Sequence, residues 1–174
     1  MKKYLQFLFV ALFATVSFAL TSCGDDNDEP DNGNGKSSFT VNGQAYKIPS
    51  LSTATLTNVT SQGRSQINFE LQPIESDEFD IFPLVNVDIE SDALPTPIAK
   101  GAKLSIKDNN STYAEMITGI METTRYTEYK SGSVTVESAF STSVTLKFDN
   151  VKFADADGDI LTLNGTINCD YDEF

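Results

Sequence analysis

The most distinctive local group of side chains that could do chemistry is Asp155-Ala156-Asp157-Gly158-Asp159. Alternating carboxylates on a glycine-containing segment can converge on Ca²⁺, which takes six to eight oxygen ligands. The spacing departs from an EF-hand loop, because the glycine comes too early and no glutamate closes the twelfth position. A polar hairpin loop needs the same residue types. The sequence therefore predicts a loop, with Asp155, Asp157 and Asp159 as candidate calcium ligands.

Two further groups of carboxylates could flank an active site. They are Glu75, Asp77, Glu78 and Asp80, and then Asp88, Glu90 and Asp92. Glycoside hydrolysis requires paired carboxylates, so a carboxylate-based hydrolase is one interpretation of these groups. A solvated acidic surface explains the same residues without any activity.

The remaining chemistry-bearing residues favour binding over catalysis. The chain has no His, and histidine is the commonest general base and a common zinc ligand. Cys169 lies in an apolar pattern, where thiols are inert. Tyr113, Tyr126 and Tyr129 could form an aromatic platform for a sugar or peptide, although tyrosine is also common in strands. We predict no catalytic residue, no enzymatic activity and no cofactor apart from the candidate calcium ion.

The amino-terminal residues predict export. Lys2 and Lys3 precede an apolar run over residues 4–20, and small residues follow it, which is typical of a secretory signal. The run is short for a membrane span, and acidic residues follow it where a basic stop-transfer cluster would stand. We therefore assign residues 1–22 to a signal peptide.

The end of this segment, Leu20-Thr21-Ser22-Cys23, resembles the lipobox of bacterial lipoproteins. The resemblance implies that Cys23 receives a diacylglycerol and becomes the first residue of the mature chain. Two or more acyl chains make a stable membrane anchor. Asp25, Asp26, Asp28 and Glu29 are similar to the acidic run that marks surface-exported lipoproteins in Bacteroidetes. The implied location is the outer membrane, with the protein lipid-anchored at the cell surface.

The charge balance limits the partners. Loss of Lys2 and Lys3 leaves ten basic residues against 25 acidic ones, a net charge of −15 for the mature chain. Such a chain repels nucleic acid and anionic headgroups, so a nucleic-acid partner and membrane attachment through a basic patch are both excluded. Membrane attachment then depends on the acyl chains. With Cys23 acylated, Cys169 has no partner for a disulfide, and the core alone must hold the domain.

Composition divides the rest of the chain in two. Residues 23–37 comprise the lipidated cysteine and an acidic stretch that has almost no apolar side chains, which predicts a flexible tether. Residues 38–174 alternate apolar and polar residues almost throughout, the signal for β-strands. We predict a single all-β domain there, an antiparallel β-sandwich or closed β-barrel of roughly eight to ten strands.

Several local features can be predicted within this domain. Asn42-Gly43 is a strong hairpin signal and would place Phe39 opposite Tyr46. Apolar residues stand at even-numbered positions up to Phe148 and at odd-numbered positions from Val151. This change of alternation predicts a β-bulge at Asp149-Asn150. Asn164-Gly165 could form a second hairpin turn, but we favour one long strand, because Leu161, Leu163, Gly165, Ile167 and Cys169 then share one face. Residues 113–124 have mixed helical and strand signals, and we favour strand.

The strand patterns also carry a resemblance. Val41-Asn42-Gly43-Gln44-Ala45-Tyr46, Gly132-Ser133-Val134-Thr135-Val136, Val144-Thr145-Leu146-Lys147-Phe148 and Leu163-Asn164-Gly165-Thr166-Ile167 resemble small uncharacterised Bacteroidetes lipoproteins with a lipid-anchored β domain. The resemblance implies no activity and no catalytic residue. The expected function is a surface-exposed, non-enzymatic module that contacts a glycan, peptide or protein partner. A structural subunit of a surface fibre or adhesin, joined by strand addition, is the alternative.

Overall fold

The computed structural model describes residues 39–74 and 82–174, and these form eleven β-strands and no α-helix. The strands are β1 Phe39–Val41, β2 Gln44–Lys47, β3 Thr55–Val59, β4 Arg64–Pro73, β5 Leu84–Asp92, β6 Lys103–Leu104, β7 Tyr113–Gly119, β8 Glu122–Tyr126, β9 Glu128–Ala139, β10 Ser143–Ala154 and β11 Ile160–Glu173. The all-β prediction is confirmed. The described residues contain one strand more than the upper end of the expected range.

Five strands close into a ring in the order β11, β1, β2, β4 and β3. Closure is possible because β4 and β11 are long enough to pair with two strands along one edge. β4 pairs there with β2 and β3, while β11 pairs with β1 and β3. Of the two predicted architectures, a closed barrel is therefore present, with further strands outside it. The β3–β11 pair is parallel, which departs from the antiparallel prediction.

The other edges of β4 and β11 carry the strands outside the ring. From β4 the sheet continues through β5, β7 and β8, and we call β4, β5, β7 and β8 the β5 wall. From β11 it continues through β10, β9 and β6, and we call β6, β9, β10 and β11 the β10 wall. The backbone after β6 also bonds to β5, since Lys107 N donates to Glu90 O at 2.8 Å.

The two walls bury their apolar faces in one core. Phe69 of β4 and Phe148 of β10 lie on strands that do not pair, yet their ring centroids are 5.5 Å apart. Phe39 contacts both rings. Because Phe69 and Phe148 meet across the interior, the outward side chains next to them in each strand point to opposite sides of the molecule.

The local predictions for turns and strands are confirmed. Asn42 and Gly43 both have positive φ, and Phe39 pairs with Tyr46. The β10–β11 register shifts between Phe148 and Val151, where Asn150 has a φ of 49°, as expected for the predicted bulge. β11 runs straight through Gly165, and residues 113–124 form the β7–β8 hairpin instead of a helix.

Candidate functional site

The outward face of the β5 wall is polar. Strand alternation points Asn68 and Glu70 of β4 away from the core, and Asn86 and Asp88 of β5 likewise. Cross-strand register aligns outward residues of the β5 wall and of the adjacent β3 into two rows. The first row is Thr55, Asn68, Asp88 and Tyr113, and the second is Glu70, Asn86, Glu115 and Arg125. All of these except Arg125 line a shallow depression of about 380 Å³.

Asp88 lies at the centre of this depression. Its Oδ1 accepts hydrogen bonds from Gln66 Nε2 at 3.3 Å and from Asn68 Nδ2. The Tyr113 hydroxyl also bonds to the carboxylate. That hydrogen bond, with partial burial and the negative charges of Asp88 and Glu115, raises the pKa of Tyr113. Donors on two strands, Gln66 and Asn68 on β4 and Tyr113 on β7, thus hold Asp88 in place, and Tyr113 stays protonated at neutral pH.

Arg125 orients the aromatic ring in the depression. Its guanidinium carbon lies 3.9 Å from the centroid of the Tyr113 ring, and its Nε lies 3.3 Å from Glu115 Oε1. At an exposed site a cation–π contact is worth about 0.5–1 kcal/mol, and the ion pair about as much. The ion pair with Glu115 holds Arg125 in place, and Arg125 in turn holds the Tyr113 ring.

Within the described ranges, Asn86 and Thr55 are the two members of the rows whose side chains form no hydrogen bond or ion pair, and Asn86 lies between the carboxylates. Within residues 39–74 and 82–174, no hydrogen bond involves its amide, whereas Glu70 Oε1 accepts from Ser52 Oγ at 3.2 Å. A free amide between two carboxylates offers two donors and one acceptor to a ligand. The arrangement can bind hydroxyl or amide groups, and its excess of carboxylates disfavours anions.

The structure separates the acidic residues that the sequence grouped together. Asp88 belongs to the depression, but Glu90 and Asp92 bind Lys107 Nζ at 3.2 and 3.6 Å. The other group, Glu75, Asp77, Glu78 and Asp80, lies outside the described residues. Of the three carboxylates Asp88, Glu90 and Asp92 that suggested a hydrolase, only Asp88 therefore lies in the depression, and the other two form salt bridges with Lys107.

Asp155, Asp157 and Asp159 lie in the tight loop between β10 and β11. Asp155 Oδ1 accepts hydrogen bonds from the backbone N–H groups of Asp157 and Asp159 at 3.0 and 2.8 Å. The Asp155 carboxylate therefore shapes the loop, as a polar hairpin requires. Among the residues that the structure describes, no three Cys, Asp or Glu are grouped to hold a metal ion. The calcium site stays a prediction.

The three tyrosines do not form one platform. Tyr113 lies in the depression, Tyr126 is buried in the core, and Tyr129 packs against Phe153 at 6.0 Å between ring centroids. Cys169 is fully buried, and burial raises the pKa of its thiol to about 12. The thiol is therefore protonated at neutral pH, in agreement with its assignment as a small apolar core residue.

The signal peptide over 1–22, the lipidation site Cys23 and the tether over 23–37 all lie outside the described residues. In the part of the chain that is described, no helix has the length and apolarity that a membrane span requires.

The sequence predicted Asp88 and Tyr113 as candidate residues, but not Asn68, Asn86 or Arg125. The sequence pattern does show that Asn68 and Asn86 face solvent, since they occupy outward positions of strands that alternate apolar and polar residues. Parity shows that such residues face solvent, but only the pairing of β4, β5 and β7 brings them next to each other.

Comparison of the chain with protein-family models, with curated proteins and with solved structures finds no match.

Proposed function

We propose that the chain is a lipid-anchored, non-enzymatic binding module of the bacterial outer membrane, displayed at the cell surface. Three sequence features support the anchor: the apolar run over 4–20, the lipobox-like Leu20-Thr21-Ser22-Cys23, and the acidic stretch that follows. The similarity of the strand patterns to small Bacteroidetes lipoproteins agrees with this placement. The fourteen residues 24–37 that follow Cys23 reach at most about 48 Å, enough to hold the domain clear of the lipid surface.

The anchor is tested at the amino terminus of the native protein. We expect mass spectrometry of the protein purified from its own membranes to find Cys23 as the first residue, carrying a diacylglycerol. A Cys23→Ser variant should leave the membrane fraction, because it has no thiol to acylate. An unmodified thiol at Cys23, or an amino terminus still at Met1, would overturn the anchor.

The depression on the β5 wall is the observation that carries the binding function. It combines a partly exposed aromatic ring with hydrogen-bonding groups that are already positioned, as at Asp88, or free, as at Asn86. Few, well-placed polar groups that fix orientation are typical of ligand sites. Carboxylates and amides form hydrogen bonds with hydroxyl groups, and an uncharged ligand is not repelled by the carboxylates. The ligand we propose is therefore a neutral glycan.

Titration of neutral oligosaccharides into the mature chain tests this ligand. We expect Asn86→Ala to weaken binding about 5- to 10-fold, the loss expected when one or two neutral hydrogen bonds are removed. The substitution breaks no internal hydrogen bond of the described residues, so the melting temperature should not change. Asn168→Ala, on the outward face of β11, is the control; it removes one exposed hydrogen bond from Thr145 Oγ1 at 3.4 Å and should bind as the wild type does. Equal affinity of Asn86→Ala and wild type, or no binding of any neutral oligosaccharide, contradicts the proposal.

A fibre or adhesin subunit is the second candidate, and β8 is the observation that favours it. Among the described strands β8 pairs only with β7, and its residues Glu122 to Arg125 are exposed. A free edge can accept a strand from another chain. Polymers of the protein in envelope extracts would favour this candidate, and a strictly monomeric protein would exclude it.

A further inference from the structure

Three lysines share a second depression, on the outward face of the β10 wall. Cross-strand register places Lys103 of β6, Thr135 of β9 and Lys147 of β10 in one row. Lys100, from the turn before β6, and Ser133 of β9 line the same depression of about 380 Å³. Neighbouring strands lie about 4.8 Å apart. The stems of Lys103 and Lys147 are therefore roughly 10 Å apart, with the Thr135 hydroxyl between them.

These lysines are unpaired. Lys107, Arg125 and Lys130 each form an ion pair with a carboxylate. In residues 39–74 and 82–174, no ion pair involves Lys100, Lys103 or Lys147, although Glu137 and Asp149 line the same depression. The chain has a formal net charge of −13, so carboxylates are abundant and pairing would be easy. Three unpaired ammonium groups in one depression are arranged to receive an anion from outside.

The second depression is separate from the first. Phe69 and Phe148 meet across the core, and the residues before them, Asn68 and Lys147, point outward on opposite sides. A ligand of the β5 wall therefore does not reach the lysines. The two depressions also differ in charge, since the first is lined by three carboxylates and no basic residue, and the second by three lysines and two carboxylates.

We propose that the lysine depression binds an anionic glycan, a sugar chain bearing carboxylate or sulfate groups, laid across β6, β9 and β10. Lysine binds such groups as a point charge with three donors. The hydroxyls of Ser133 and Thr135, between the cations, pair with sugar hydroxyls. This inference goes beyond the neutral-glycan site and does not depend on it.

The negative charge of the whole chain does not prevent this binding. At physiological ionic strength the Debye length is about 8 Å, so carboxylates elsewhere on the surface are largely screened from the depression. The same charge disfavours larger polyanions. Duplex nucleic acid carries a charge about every 1.7 Å and would extend onto acidic surface. A flat anionic bilayer cannot enter a concave site.

Matched ligands and matched variants test the proposal on the mature chain. We expect oligogalacturonate to bind at physiological ionic strength and its methyl-esterified form not to bind, because esterification removes the negative charge of each carboxylate. Lys103→Gln with Lys147→Gln should weaken oligogalacturonate binding about tenfold, the loss expected for two exposed ion pairs. Lys152→Gln removes a lysine of β10 outside the depression and should have no effect. An unchanged melting temperature of the double variant would show that its fold is intact.

The two sites can fail independently. Asn86→Ala should leave oligogalacturonate binding unchanged, and the double lysine variant should leave binding of neutral oligosaccharides unchanged. Equal binding of the free and esterified forms, or an equal loss in Lys152→Gln, would overturn the proposal. So would binding of phosphatidylglycerol vesicles or of an oligonucleotide, but not of oligogalacturonate, through Lys103 and Lys147.

Discussion

Gly132→Ala is expected to lower the free energy of unfolding by about 3 kcal/mol or more, since it combines backbone strain with a steric collision. Gly132 has a φ of +110°, a conformation that residues with a Cβ rarely adopt. A Cβ built at this position would lie 2.4 Å from Asn150 O and 2.5 Å from Val151 Cα. Both neighbours are backbone atoms of the β10 bulge, so no side chain can rotate away to relieve the contact.

The collision should displace β9 from β10 near the bulge. Ser133 follows Gly132 directly on β9 and Thr135 lies two residues further on, so the lysine depression should lose its shape together with the stability. Chemical denaturation followed by circular dichroism measures the loss. Gly158→Ala is the matched control, because Gly158 also has a positive φ of +90° but no heavy atom within 4 Å of a built Cβ. Gly158→Ala should lower the free energy of unfolding only by the backbone strain, about 1 kcal/mol. Equal losses in the two variants would show that the close approach to the bulge is unimportant.

Phe148→Ala is expected to lower the free energy of unfolding by about 3–5 kcal/mol, the range for removing a buried phenylalanine. The Phe148 ring is fully buried and makes edge-to-face contacts with Phe39 and Phe69 at 5.2 and 5.5 Å between centroids. Phe39 belongs to the ring of five strands, Phe69 to the β5 wall and Phe148 to the β10 wall. The cavity left by alanine would therefore weaken the contact between all three parts.

A second phenylalanine of the same chain serves as control. Phe140, in the turn between β9 and β10, is 68% exposed, and Phe140→Ala should change the stability by no more than about 0.5 kcal/mol. Thermal and urea denaturation of both variants give the comparison. If Phe148→Ala unfolded at the same urea concentration as Phe140→Ala, the three-ring cluster could not be the link between the walls.

Much of the fold follows from local rules. Asn42-Gly43 predicts its hairpin because both residues tolerate a positive φ, and the turn then sets the pairing of Phe39 with Tyr46. The bulge at Asp149-Asn150 follows because alternation cannot change parity without an extra residue. The strand through Gly165 follows from the same parity argument, and here glycine lies between Phe39 and Phe148 in the register.

Other features depend on residues far apart in the chain. Asn58 is fully buried and would be read as a surface residue, but its Oδ1 accepts from Ser65 Oγ at 2.7 Å and from Leu94 N at 3.1 Å. The parallel pairing of β3 with β11 likewise has no local signal. Long-range pairing is determined by how all the strands fill one core, and no short segment carries that information.

For the candidate sites, the sequence by itself determined which residues face solvent, because successive side chains of a strand point to opposite faces. It therefore indicated that Asp88 and Lys147 lie outside the core, and it predicts an export signal at the start of an acidic chain. Only the tertiary structure decided which of these residues are neighbours. Asp88 meets Asn68 and Tyr113, and Lys147 meets Lys103, through strand registers that are set by the closure of the sheet. Side-chain direction is a local property of each strand, whereas adjacency across strands is a property of the whole fold.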